Sequence, residues 1–194
     1  MNKLLITATF LWCSLTATAQ RIDFSFSNAQ ETLTHEPGYI EWKIPHSATS
    51  SMTLDNGMEI TVSAAGNADV LRDQWDKNTC KKGCDTEQVG LRLLGDGVVA
   101  FIADGDNTPT STNISTAIEI EIKGMTAGSH TVMVYHVWKD VKNGEMPKIK
   151  VEMKINDGEY VVKQDDVEFV NVKDPVENLK MADATFSYID FNIP

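Results

Sequence analysis

Ile118-Glu119-Ile120-Glu121-Ile122-Lys123 alternates apolar and charged residues without a break, and this stretch decides the fold. A period of two puts successive side chains on opposite faces of a strand, so the three isoleucines line one face and the charges the other. That is the mark of a half-buried antiparallel strand. The pattern recurs on either side. Ile149, Val151, Met153 and Ile155 alternate with Lys150, Glu152 and Lys154, and Met58, Ile60 and Val62 alternate with Glu59, Thr61 and Ser63. Phe24, residues 40–44 and residues 167–172 mark further strands with less regular alternation. Residues 131–138 are apolar on both faces, which predicts a central strand covered on both sides. Asp55-Asn56-Gly57 and Asn156-Asp157-Gly158 supply the positive backbone angles of tight hairpins, and Gly124 to Gly128 separates two strong strands. Helical periodicity is nearly absent. Many short strands divided by turns predict an all-β fold, an antiparallel β-sandwich of jelly-roll type.

The first residues read differently. Lys3, an apolar run from Leu4 to Leu15 and the small residues Ala17-Thr18-Ala19 follow one another in the order of an export signal. The run is shorter than the roughly 20 apolar residues a helix needs to cross a bilayer, and none follows it, so no membrane span is expected. Residues 1–20 are therefore read as a signal peptide and residues 21–194 as one exported domain, periplasmic, surface-bound or secreted. Cys13 leaves with the signal, since Trp12 stands where a lipid-attachment signal wants a small residue. The whole chain carries a net charge of −11, and residues 1–20 contribute Lys3 but no acid, so the remainder is more acidic still. Such a balance repels polyanions and excludes nucleic acid as an expected partner.

Export also governs the two remaining cysteines. Cys80 and Cys84 are neighbours, and in an oxidising compartment they are expected to form a small disulfide loop that pins a local turn. Zinc would need about four ligands, and no second pair completes a set. Residues 63–88 are the weakest stretch for regular structure, rich in Asp, Asn, Lys and Gly, as functional loops often are. A second polar connection covers residues 103–116.

With the strands placed, the stretch Gly124-Met125-Thr126-Ala127-Gly128-Ser129-His130-Thr131-Val132-Met133-Val134-Tyr135-His136 resembles the turn-and-strand signature of malectin-like and galactose-binding-like jelly-roll domains. Met125 and Thr126 depart from the Leu and Pro usual there. Gly95-Asp96-Gly97-Val98 before a strand, and Ile22-Asp23-Phe24 after the signal, are similar to N-terminal accessory modules of bacterial polysaccharide-degrading enzymes, lyases especially. The resemblance spans residues 21–193 but is distinctive only in these short runs. In such modules one more strand follows the Tyr-x-x-Phe run, here Tyr188 and Phe191. The resemblance thus implies a sandwich lacking its last strand and a catalytic domain of the same parent chain beyond Pro194. It also implies polysaccharide or oligosaccharide as the partner.

Sugar recognition needs aromatic faces against apolar pyranose C–H surfaces, with polar groups for the hydroxyls. Tyr39, Trp75 and Trp138 are the candidates for carbohydrate binding, Trp75 in a polar segment and Trp138 at a sheet rim, where anchoring a loop or edge is the competing role. Trp42 shares a strand face with Ile40 and Ile44 and is read as core. Asp104, Asp106 and Asn107 are oxygen donors on a glycine-containing loop, a candidate calcium site that lacks the spacing and bidentate Glu of an EF-hand. No other cofactor is expected. Lys148, Lys150 and Lys154 share a face that an anionic polysaccharide would meet, but Glu152 interrupts the row and a solvated face is the favoured reading.

Catalytic signals are missing. There is no Gly-x-Ser-x-Gly elbow, and His130 and His136, on one side of a strand, are about 20 Å apart, too far to share an ion. Nothing in the spacing of the 28 acids selects a facing carboxylate pair. The expectation is a non-catalytic carbohydrate-associated module of an exported polysaccharide-degrading enzyme, a lyase or a glycoside hydrolase. The alternative is a spacer that packs on that catalytic domain and binds no sugar.

Overall fold

A computed structural model of the chain describes residues 19–25, 38–66, 69–75, 96–102, 115–139, 148–167, 170–172 and 185–194. Among these residues every regular element is a strand: β1 (Ile22–Ser25), β2 (Ile40–Lys43), β3 (Thr49–Thr53), β4 (Glu59–Ala64), β5 (Asp69–Trp75), β6 (Asp96–Ile102), β7 (Ile118–Lys123), β8 (Gly128–Lys139), β9 (Ile149–Met153), β10 (Val161–Val167), β11 (Val170–Val172) and β12 (Thr185–Ile193). Over the described residues the chain is all-β, with several antiparallel sheets, as its alternation predicts. Residues 1–18 of the expected signal, the Cys80 and Cys84 pair, and Asp104, Asp106 and Asn107 lie outside the described residues.

The deciding stretch is β7, an edge of the antiparallel sheet β3-β4-β7. Its register sets Ile122 opposite Ile60 and Ile120 opposite Val62, while Met52 of β3 faces Ile60 from the other side. These residues form the apolar face. The opposite face is polar, where Thr49 bonds Ser63 at 3.0 Å and Ser51 bonds Thr61 at 2.8 Å, each pair directly opposite across the ladder. Lys123 reaches Glu121 at 3.1 Å on the same side.

The apolar face belongs to a core in which Trp42, Ile44, Leu54, Ile60, Val62, Leu71 and Ala100 are buried together. Burying one such aliphatic or aromatic side chain fully stabilises the fold by roughly 1.5–3 kcal/mol. Trp42 is core, as its strand face predicts. Its ring lies 5.5 Å from Phe24 and its indole N–H donates to Ser50 Oγ at 3.2 Å, so the one polar atom of a buried ring is satisfied. Phe24 and Trp42 are register partners in the parallel pair β1-β2. Leu71 N–H donates to Ser47 O at 2.7 Å, tying β5 to the chain ahead of β3.

Residues 69–75, read from sequence within a loop, form β5, which pairs along its whole length with β6. Local alternation is poor there. The strand is fixed by its partner and by burial of Leu71, neither of which a window of neighbouring residues reveals. Gly66 makes room for the buried Asp69, since a Cβ at Gly66 would lie 2.4 Å from Asp69 Oδ2. The Asp69 carboxylate accepts a short hydrogen bond from the Ser115 hydroxyl.

The turns behave as their sequences demand. Gly57 adopts φ 83° and Asn156 φ 51° in the hairpins β3-β4 and β9-β10. Gly124, φ 79°, does not close a hairpin. It starts the crossing from β7 to β8, strands of different sheets. β8 is central in the sheet β11-β8-β12, parallel to β11 and antiparallel to β12.

Candidate functional site

Among the described residues the longest register joins β8 to β12, from Thr185 opposite His136 to Ile193 opposite Gly128. Directly paired residues of antiparallel strands project from the same face, so the register sorts the side chains into two sets. One set holds Ser187 with Val134, Ile189 with Val132, and Phe191 with His130. Ser187 and Ile189 are buried, and Val132, Val134, His130 and Phe191 are half-buried, so this is the inner face. The other set holds Phe186 with Tyr135, Tyr188 with Met133, Asp190 with Thr131, and Asn192 with Ser129.

That second face is open. Phe186 is 48% exposed, Tyr188 54% and Met133 48%, with Tyr135 half-buried beside them. The Tyr135 and Phe186 rings are 6.2 Å apart and tilted 58° to each other. Tyr188 follows Phe186 by two residues, roughly 7 Å along the strand. Three aromatic rings and a thioether thus cover one half of the two-strand ribbon. The other half is polar. Thr131 donates to Asp190 Oδ1 at 2.5 Å, and a shallow groove of about 520 Å³ is lined by Ser129, His130, Thr131, Asp190, Phe191 and Asn192. An apolar aromatic shelf continuous with hydroxyl, amide and carboxylate groups can hold a ligand with one apolar and one hydroxylated side.

The inner face explains why the aromatics stand outward. His136 Nε2 and the Ser187 hydroxyl share a 2.7 Å hydrogen bond beneath the ribbon, and burial holds the imidazole below its usual pKa. His130 Nε2–H donates to Thr126 O at 2.7 Å and its ring packs 5.6 Å from Phe191. Both histidines are thus employed in the strand, the ordinary reading of their spacing. Residues 131–138, expected to be covered on both sides, are central in their sheet but open on the Met133 face.

The sequence candidates fall elsewhere. Tyr39 precedes β2, half-buried, with the Arg21 guanidinium 5.9 Å from its ring centre. Trp75 ends β5, its backbone opposite Asp96, and Trp138 lies near the end of β8, its backbone opposite Asn171. Tyr39 stands next to the sheet β1-β2, Trp75 is in β5-β6 and Trp138 in β11-β8-β12, so the three do not share a sheet. The side chains of Trp75 and Trp138 lie outside the described residues. Lys148 lies 3.9 Å from Asp166, Lys150 2.8 Å from Glu152, and Lys154 Nζ stands 5.0 Å over the Tyr160 ring. The lysine row is thus a paired, solvated face, as Glu152 within it suggests.

The face on β8 and β12 was missed although its signal was present. Phe186, Tyr188, Asp190 and Asn192 alternate with Ser187, Ile189, Phe191 and Ile193, but hydrophobicity does not say which set turns inward. Among the described residues no group of three or more His, Cys, Asp or Glu side chains is arranged to hold a metal, and no helix is long and apolar enough to span a membrane. Compared with protein families, with curated proteins and with solved structures, the chain matches none.

Proposed function

We propose that this chain is a non-catalytic β-sandwich module that binds carbohydrate on the outer face of β8 and β12 and serves an exported polysaccharide-degrading enzyme. One observation carries the reading. Tyr135, Phe186 and Tyr188 lie together on an open, pleated surface, next to the polar groups of Thr131, Asp190 and Asn192. Burying such rings in the protein would be favourable, so a cluster of them left in water is an unfilled contact. A pyranose ring fills it, its C–H face on the aromatics and its hydroxyls on the carboxylate and amide. The turn-and-strand resemblance points the same way, because Gly124 to His136 leads into β8 itself.

Affinity electrophoresis through gels containing a panel of polysaccharides tests this. The protein is expected to be retarded by at least one of them. Tyr188→Ala and Phe186→Ala are each expected to weaken that retention about tenfold, the effect of losing roughly 1.4 kcal/mol of ring contact. Retention that both variants leave intact would remove the site from this face. A folded protein retained by no polysaccharide would support the spacer reading, in which the same apolar rings pack against a neighbouring domain.

A further inference from the structure

We infer that the exported chain begins at Gln20 and that this residue closes on itself as an N-terminal pyroglutamate, an inference that rests on the export reading proposed above. Ala17 and Ala19 occupy the two small-residue positions that a signal cleavage site needs ahead of the Ala19–Gln20 bond. A cut one residue later would put the long Gln20 side chain and Thr18 in those positions. The folded part starts directly after. Arg21 O accepts from Ile40 N–H at 2.7 Å, and β1 is in register with β2 from Ile22 onward. The Arg21 guanidinium lies 5.9 Å from the Tyr39 ring centre, Asp23 is buried, and Phe24 packs on the core beside Trp42. A cut beyond Arg21 would remove the first bond of this ladder, whereas Ala19 and Gln20 are exposed and precede it. The cleavage positions and the start of the fold thus meet at one residue, and the domain runs from Gln20 rather than from Arg21.

A free N-terminal glutamine carries its own electrophile. The unprotonated α-amine attacks the side-chain Cδ, so that a lactam N–Cδ bond forms and the Cδ–Nε2 bond breaks. The amide nitrogen leaves as ammonia with the proton that the amine gives up. The balance needs no oxidant, metal or second substrate. Closing the five-membered ring turns only the torsions of Gln20 itself, so the backbone anchored from Arg21 onward does not oppose it. An α-amine with its ordinary pKa of about 8 is partly unprotonated at neutral pH and can react. The product has no terminal ammonium. One positive charge beside Arg21 disappears, and aminopeptidases lose the group by which they recognise a chain end.

The test expresses the full chain in a bacterial host, recovers it from the periplasm and incubates it at about pH 8 until its mass no longer changes. Intact-mass spectrometry of the reduced protein is expected to find residues 20–194 less one ammonia, about 17 Da below the uncyclised chain. Edman degradation is expected to be blocked until a pyroglutamyl aminopeptidase removes the first residue, and then to read Arg21-Ile22-Asp23. Gln20→Ala, which leaves Ala17 and Ala19 in place but lacks the amide, is expected to lose no ammonia and to be read from the first cycle. A chain that starts at Gln20 and keeps its ammonia overturns the pyroglutamate while leaving export in place. A start at any other residue overturns the inference by moving the cut. A full-length chain that is never cleaved overturns both this inference and the export reading.

Discussion

The strands before Gly124 and those after it dispose of their large side chains in opposite ways. In β1 to β7 Trp42 and Leu71 are buried in one core against which Phe24 packs, Phe101 is buried as well, and the exposed large apolar residues described there are isoleucines: Ile40, Ile102, Ile118 and Ile120. In β8 to β12 the exposed large residues include Phe186, Tyr188 and Tyr160, together with Met133, Val161 and Val162. The contrast is one of chemistry as well as amount. Single aliphatic residues at sheet margins are ordinary, whereas clustered rings in water mark a surface that meets something. The first region draws stability from its apolar residues, and the second leaves several of its rings in water.

The largest effect belongs to the core. Leu71→Ala, at a fully buried position, is expected to destabilise the protein by about 2–5 kcal/mol in urea denaturation. Tyr188→Ala, which all but abolishes an exposed ring, is expected to stay within about 0.5 kcal/mol of the wild type in the same experiment. A comparable loss at both positions would show that the outer face is structural after all. Next in size is Gly57→Ala. Its φ of 83° costs an L-residue about 1–2 kcal/mol, and since a Cβ there would meet nothing within 4 Å, the cost is one of backbone alone.

The smallest effect is one of slope. Burial lowers the His136 pKa in the folded state, so on acidification the unfolded chain takes up the proton first. The contribution of neutral His136 is whole above the unfolded value of about 6.5 and declines as pH falls below it toward the lower folded value. His136→Gln, which keeps a hydrogen-bonding group near Ser187, is expected to flatten the stability profile in that range. A variant whose profile below pH 6.5 parallels the wild type would show that the imidazole carries no part of the acid sensitivity.

Much of the first region is legible in the sequence and little of the second region's purpose. Regular alternation in β4 and β9 identifies strands and their inward faces because isoleucine, valine and methionine there oppose charges or hydroxyls, whereas in β7 it identifies the strand but only Ile122 is partly covered, Ile118 and Ile120 standing exposed at the sheet edge. Asn-Gly and Asp-Gly pairs identify the turns, and Trp42 is placed correctly by its neighbours Ile40 and Ile44. β12 resists the same logic. Both of its faces carry aromatics, and the buried one has a serine at its centre. Ser187 is tolerated inside because His136, from the neighbouring strand, meets its hydroxyl at 2.7 Å. That partner is 51 residues away in the chain, so no local pattern announces it. The parallel pairings of β1 with β2 and of β8 with β11 are hidden for the same reason, as alternation names a strand but not its neighbour.

The crossing from β7 to β8 joins the two regions at a point with no slack. A Cβ on Gly124 would stand 3.3 Å from Gly57 O and 3.5 Å from Met58 Cα, so the hairpin of β3-β4 and the start of the crossing touch backbone to backbone. Position 124 also needs its positive φ, and Gly57 needs its own. In descendants of this sequence the two positions should therefore drift together or not at all, since bulk at one presses on the other and rotates the strand that follows. A pair of glycines far apart in the chain thereby acts as an alignment mark, and selection for the direction in which β8 leaves the crossing would be recorded there.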